Sequence, residues 1–167
     1  TVNPFVQAKL GYDPLKDFTP VTTSVELPIV LVVNASVPAN TVAEFIEYAK
    51  KNPGKLSFGS SGYGTTMHLA GVLLNDRAGI QMIHVPYTGG AHTLLDLISG
   101  QSPVVMTALS PVAPSIGGGK LKVLATVEAK RSASHPDIPT VGETLSGYSV
   151  PSSWLGVTCR LSPRIVR

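Results

Sequence analysis

The 167-residue chain contains a single cysteine, Cys159. That rules out an internal disulfide and a zinc cluster built on several thiolates, and leaves the redox compartment open. Charge is also scarce: Asp, Glu, Lys and Arg make up 14% of residues, against about a quarter in an average domain. Ser, Thr, Gly and Asn must therefore cover much of the surface. Aromatic residues contribute only 6%. Lys and Arg are scattered, apart from Lys120/Lys122, Lys130/Arg131 and an Arg-rich tail. Such a pattern gives no nucleic-acid footprint. The formal charge of +3 and a pI near 9.1 fit a mild preference for small anions, with ordinary solvated surface charge as the plain alternative. No apolar run reaches the roughly 20 residues of a membrane-spanning helix. The longest, Pro28-Ile-Val-Leu-Val-Val33, reads as a buried strand. No secretory signal pattern is visible, and the chain starts at Thr1-Val-Asn-Pro4 without methionine. A fragment of a longer protein is the expectation.

Hydrophobic residues account for 43%, enough at this length for one domain with a sizeable core. Residues 1–20 are rich in turn signals, including Gly11-Tyr-Asp-Pro14. A strand is expected over 29–33. Thr41-Val-Ala-Glu44 is a capping box opening a helix that carries Val42, Phe45, Ile46 and Ala49. Strands at 56–59, 82–85, 104–106 and 123–126 then alternate with helices. One carries His68, Leu69, Val72 and Leu73; the next carries Leu94, Leu95 and Ile98; a Pro-containing helical turn covers 110–116 and ends in Gly117-Gly-Gly119. Strands alternating with helices through short Gly-rich loops predict an α/β domain with a mostly parallel sheet flanked by helices. Residues 128–151, punctuated by Pro136, Pro139 and Pro151, read as an extended surface segment.

Ligands of such sheets sit outside the carboxyl ends of the strands. The loops at 60–66, 86–91 and 106–110 all follow strands and precede helices, so they should share one edge. In Ser60-Ser-Gly-Tyr-Gly-Thr-Thr66 the glycines let the backbone turn tightly and present N–H groups, and the following helix N-terminus adds partial positive charge. Together they suit a carboxylate or phosphate. Ser60, Thr65 and Thr66 offer hydroxyl donors. In the plain alternative Gly62 and Gly64 only make the turn and Thr66 only caps the helix. If an anion binds, backbone N–H groups around Gly64 to Thr66 should contact it, helped by Ser60. Tyr87, in Pro86-Tyr-Thr-Gly-Gly90, has an apolar ring and a polar tip suited to a pocket wall, or to simple packing. The sharper signatures are absent. Met67 occupies the third glycine position of a dinucleotide fingerprint, and there is neither a phosphate loop nor a nucleophile elbow. No two histidines fall at helical metal-ligand spacing. His68 reads as bonded to backbone and His84 as a satisfied core or edge residue.

Five motifs occur in order: Tyr12-Asp-Pro-Leu-Lys-Asp-Phe-Thr-Pro20, Asn52-Pro-Gly-Lys-Leu56, Ser60-Ser-Gly-Tyr-Gly-Thr-Thr-Met-His-Leu-Ala70, His84-Val-Pro-Tyr-Thr-Gly89 and Asp137-Ile-Pro-Thr-Val-Gly-Glu143. With them the chain resembles the substrate-binding proteins of the tripartite tricarboxylate transporter system, the Bug-type periplasmic receptors, from Asn3 to about Val157. The resemblance implies one lobe of a two-lobed, flytrap-like fold. It also implies capture of small carboxylates (dicarboxylates, tricarboxylates, acidic amino acids or aromatic acids) for membrane components of a transporter, without a cofactor, a metal or catalysis. The ligand-binding set it implies is Ser60, Gly62, Tyr63, Gly64, Thr65, Thr66, Tyr87, Thr88 and Thr107. Thr107 stands where many relatives carry Asp, and Thr88 where Lys is frequent, so the ligand is left open.

The resemblance further implies that residues 25–152 form the second lobe. Residues 1–24 and 153–167 are then remnants of the first, the last ten having an atypical sequence, as of a truncated or frameshifted reading frame. Apolar residues such as Phe5, Phe18 and Trp154 should lie exposed and favour self-association. Two other functions compete. One is a serine-dependent hydrolase of small esters using Ser60 or Ser61 with His68, for which Asp96 and Glu143 are the candidate acids. The other is a dimerising interaction module without a ligand.

Overall fold

The apolar run at 29–33 is β-branched and unbroken, and a strand of that kind is stable only with both faces covered. The structure, a computed structural model, describes Pro4 and residues 9–88, 90–116 and 118–160. Its elements are β1 (Phe18–Leu27), β2 (Ile29–Asn34), α1 (Val42–Lys51), β3 (Ser57–Ser60), α2 (Thr66–Ala78), β4 (Ile83–Pro86), α3 (Gly90–Ser99), β5 (Val104–Ala108), α4 (Leu109–Ile116), β6 (Leu121–Thr126), α5 (Val141–Thr144) and β7 (Ser153–Arg160). They fall into two compact units, one of 27–153 and one joining 1–26 to 154–167.

The larger unit is a five-stranded sheet in the order β4-β3-β5-β2-β6. Every residue of β2 is buried. Its side chains alternate between two cores. Ile29, Leu31 and Val33 join Phe45 of α1 and Leu74 of α2 on one face. Val30 and Val32 join Leu97 of α3 and Val112 of α4 on the other. Helices on both faces of one sheet are the expected α/β architecture. β3 pairs in parallel with β4 and β5, and β2 pairs antiparallel with both β5 and β6. Four strands therefore run one way and β2, inside the sheet, runs the other. The mostly parallel expectation holds with that single reversal. Where β2 meets β6 the register shifts between Leu31 and Val32, as at a β-bulge.

Residues 128–151 are not the wholly extended surface segment expected from their prolines. Val141, Tyr148 and Val150 are buried in the first core, and the Tyr148 hydroxyl donates to the Ala70 carbonyl of α2 at 2.9 Å. Thr140 caps the short α5 through a full capping box with Glu143. The signal was present as Thr140-Val-Gly-Glu143, where prolines on the N-terminal side dominate the local pattern. Arg131 pairs with the same carboxylate through two nitrogens. Its hydrogen bonds, with the Thr140 backbone N–H second, hold the Glu143 carboxyl down at about 2. A lowered carboxyl stabilises the folded form above its ordinary pKa of 4.5, and that contribution is lost as pH falls through the folded value. Side-chain NMR of Glu143 should therefore show a midpoint near 2. A midpoint at the ordinary value would mean that the cap does not form.

In the smaller unit β1 and β7 pair as a two-stranded sheet. Neither strand was expected, because Thr, Ser and Gly dilute the alternation that marks a strand. Trp154, at 58% exposure, stands out with Leu155, Val157, Val21 and Val25. Phe18 differs from the expectation: it is half-buried, with its ring edge-on to Tyr12 at 5.5 Å. Phe5, Gly89, Gly117 and residues 161–167 lie outside the described residues.

Candidate ligand-binding site

Because β3, β4 and β5 run in parallel, their carboxyl ends lie at one edge of the sheet. The 60–66 and 86–91 loops leave the sheet there, ahead of α2 and α3, whereas 106–110, expected as a loop, is the end of β5 running straight into α4 at Leu109. The loop after β3 is held mostly by its own polar groups. Thr65, not Thr66, is the N-cap of α2: its hydroxyl accepts from the His68 N–H at 3.2 Å and donates to the Gly62 carbonyl at 2.8 Å. Gly62 and Gly64 have φ of +119° and +73°, backbone that favours glycine. The Gly64 N–H, expected to meet an anion, donates instead to His68 Nδ1 at 3.2 Å.

Ser60 is fully buried. Its hydroxyl lies 2.7 Å from His84 Nε2, accepts from the Gly62 N–H at 3.2 Å and faces the Gly62 carbonyl at the same distance. It anchors the loop from beneath. Tyr63 is 72% exposed. Its ring meets His68 and His84 edge-on at 5.4 and 4.9 Å, and the two imidazoles lie against each other at 4.2 Å. Phe58 also lies against His84, at 5.0 Å. In the parallel register Phe58 pairs with His84, so both side chains stand on the face covered by α2, and His68 reaches them from that helix. Sequence spacing does not show this cluster, since its members come from β3, its loop, α2 and β4.

Desolvation lowers the pKa of His68. His84 is lowered by desolvation first and by the charge of His68 second. Both are therefore neutral at neutral pH. Since the Gly64 N–H donates to Nδ1, the neutral His68 ring carries its proton on Nε2.

Tyr87 is half-buried at the start of the second loop. Its N–H donates to the Ser60 carbonyl at 2.9 Å and its hydroxyl to Asp96 at 2.8 Å. Burial, then the Asp96 carboxylate, raises its pKa. A Cβ on Gly59 would come within 3.0 Å of the Tyr87 ring, so the missing side chain there lets the ring approach β3 closely. Thr88 is exposed and Thr107 half-buried on β5. The nine candidate residues are thus spread along one sheet edge, with Ser60 beneath the surface.

The serine of a hydrolase would need an acid behind its histidine. Ser60 pairs with His84 rather than His68, and His84 Nδ1 is buried without a hydrogen-bond partner. Asp96 is taken by Tyr87, and Glu143 by Arg131 and Thr140. No described residue completes a triad. Among the described residues no group of three or more His, Cys, Asp or Glu could hold a metal ion, and no helix is long and apolar enough to cross a membrane.

The chain matches the tripartite tricarboxylate transporter family receptors over residues 1–165, past Val157, where the sequence resemblance was expected to end. It is 34% identical, over 158 residues, to the UPF0065 protein of the tcbD-tcbE intergenic region of a Pseudomonas species, covering 93% of this chain and 47% of that protein. Among solved structures it is similar to R. palustris Rpa4515 with adipate (35% identity, TM-score 0.86, 92% of this chain and 52% of that one). It is also similar to MatC from Rhodopseudomonas palustris with bound malate (28% identity, TM-score 0.83, 95% and 54%). The chain spans about half the length of the curated relatives it matches. Its fold is that of a periplasmic-binding-protein lobe. By its sequence and by its structure, this chain belongs to the tripartite tricarboxylate transporter family receptors, which are periplasmic solute-binding proteins and not enzymes.

Proposed function

We propose that the chain supplies one side of a two-sided clamp for a small carboxylate, with residues 25–152 as the second lobe and residues 1–24 and 153–167 as parts of the first. The full protein would work in the periplasm and deliver its ligand to the membrane components of a transporter. The observation that carries this reading is the convergence of the 60–66 loop, the 86–91 loop and the β5–α4 junction on one carboxyl edge of the sheet. Adipate and malate in the two related structures support a dicarboxylate. Gly62, Tyr63, Gly64, Thr65, Thr66, Tyr87, Thr88 and Thr107 face the ligand in this proposal, and Ser60 holds their loop from below.

A clamp closes on its ligand from both sides, so one side alone leaves the carboxylate open to competing water, which weakens each hydrogen bond. The expected dissociation constant of the isolated chain is about millimolar, near −4 kcal/mol. Calorimetry with adipate, malate, citrate, glutamate and benzoate tests this, with light scattering alongside. The exposed Trp154, Leu155 and Val157 support self-association of the chain in isolation. Micromolar affinity in a strict monomer would make the chain a self-sufficient receptor and overturn the one-sided clamp. Turnover of simple esters would revive a hydrolase.

A further inference from the structure

His68 and His84 do more than fill space beside the 60–66 loop. One accepts from the loop's Gly64 N–H, the other meets the Ser60 hydroxyl that in turn holds the Gly62 N–H, and the two rings touch. Thus both glycines of the turn are tied, directly or through one serine, to an imidazole. We propose that His68 and His84 are the positioning pair of the carboxylate loop, and that only their neutral forms hold it in its binding shape. The proposal rests on the carboxylate reading above.

Protonation breaks this arrangement at identifiable atoms. A proton on His68 Nδ1 removes the acceptor of the Gly64 N–H and sets two donors face to face. With the Ser60 hydroxyl donating to the Gly62 carbonyl, neutral His84 donates to Ser60 through Nε2, and a further proton leaves a buried Nδ1–H without an acceptor. A second charge on rings 4.2 Å apart adds like-charge repulsion. Among the described residues no acidic group offsets these costs, and the Tyr63 and Phe58 rings offer an imidazolium only a weak cation–π contact. β3 contributes the Phe58 ring and the Ser60 hydroxyl, and the loop contributes the Tyr63 phenol ring. From α2 and β4 the titratable groups facing each other are the two histidines themselves. Among the described residues no Asp, Glu, Lys or Arg pairs with either ring.

The sign follows. Both histidines have pKa values lowered from the ordinary 6.5. The ordered loop is therefore fully favoured above that pH and weakens as pH falls below it. A pair acting instead as a direct positive partner for the ligand would show the opposite trend, tighter binding in acid.

Malate affinity of the 167-residue chain is the test, measured by calorimetry from about pH 7.5 down to about pH 5.5, with His68→Asn/His84→Gln alongside. Asn keeps a hydrogen-bonding atom near the Nδ1 position and Gln near the Nε2 position, and neither titrates. We expect wild-type affinity to fall severalfold over this range, and the double variant to bind more weakly at neutral pH with a much flatter profile. A flat or acid-tightened wild-type profile, or an equal slope in the variant, would overturn the proposal. If neither malate nor adipate, citrate, glutamate or benzoate binds at any pH, the carboxylate reading fails and the pair is judged without ligand by NMR. The neutral His68 ring should carry its proton on Nε2, and the Gly64 amide should shift with the His68 midpoint, below 6.5. A Gly64 amide indifferent to that midpoint would overturn the positioning role by itself. The ligand-free titration also decides the matter if the double variant does not fold.

Discussion

Phe58→Ala should lower the stability of the chain by about 3–5 kcal/mol in urea unfolding, the cost of emptying a fully buried aromatic site. That is a large part of the roughly 5–15 kcal/mol that holds a typical domain together. Phe58 is 1% exposed on β3, packed between His84 and α2. The reason for the close fit is Gly71. A Cβ there would meet the Phe58 ring at 2.1 Å, a distance no real contact tolerates. Gly71→Ala should therefore destabilise by about 1–3 kcal/mol through overpacking, although alanine is favoured over glycine in a helix by about 1 kcal/mol. The two substitutions should not add. With the ring gone, the alanine methyl projects into the vacated space and its helix propensity is recovered. Phe58→Ala/Gly71→Ala should thus be no less stable than Phe58→Ala alone, a coupling well outside the few tenths of a kcal/mol expected for independent sites. Additive losses would mean that the ring and the helix do not meet as described.

The second large effect concerns binding. Gly64→Val should abolish measurable binding of adipate or malate while leaving the fold intact. Gly64 has φ of +73°, and a left-handed backbone costs an ordinary residue roughly 1–2 kcal/mol, with β-branched valine among the worst fits. The cheapest relief is to flip the loop. That withdraws the Gly64 N–H from His68 Nδ1 and turns the proposed binding surface of the 62–66 segment away from the edge. The loss is confined to a turn at the sheet rim, so the melting temperature should fall by only a few degrees, as about 1 kcal/mol does in a domain of this size. Circular dichroism and calorimetry on the same sample separate the two effects. Unchanged affinity in a folded variant would remove the 60–66 loop from the site.

Much of the fold is legible in local patterns. The strand at Ile29 is announced by its β-branched run, α1 by its Thr41 cap, and α2 and α3 by their position after Gly-rich turns. The capping box expected at α1 is only half formed, because Glu44 accepts from the Asn40 N–H instead of that of Thr41. α5 was legible too, in Thr140 and Glu143, although the preceding prolines argued for extended chain. β1 and β7 were not. Their residues are exposed along most of both strands, so no apolar alternation marks them, and their pairing joins segments far apart in sequence. Within the candidate site the Gly/Thr loop was visible from composition. The capping residue was misplaced by one position, because Thr65 and Thr66 are chemically equal and only backbone geometry decides between them.

The sequence by itself determined most strands and helices of the larger unit, the order of the family motifs and the loop that turns on glycine. Those properties rest on interactions within about four residues along the chain, on caps, turns and side-chain periodicity. The tertiary structure decided the rest. It reversed β2 between β5 and β6, set Gly71 against the Phe58 ring and joined Ser60 to His84 across 24 residues. It also brought His68 from another element against the same imidazole. No local pattern specifies these, because strand direction and ring contact depend on which distant segments bury each other's apolar faces, and that choice is made only when the whole core packs.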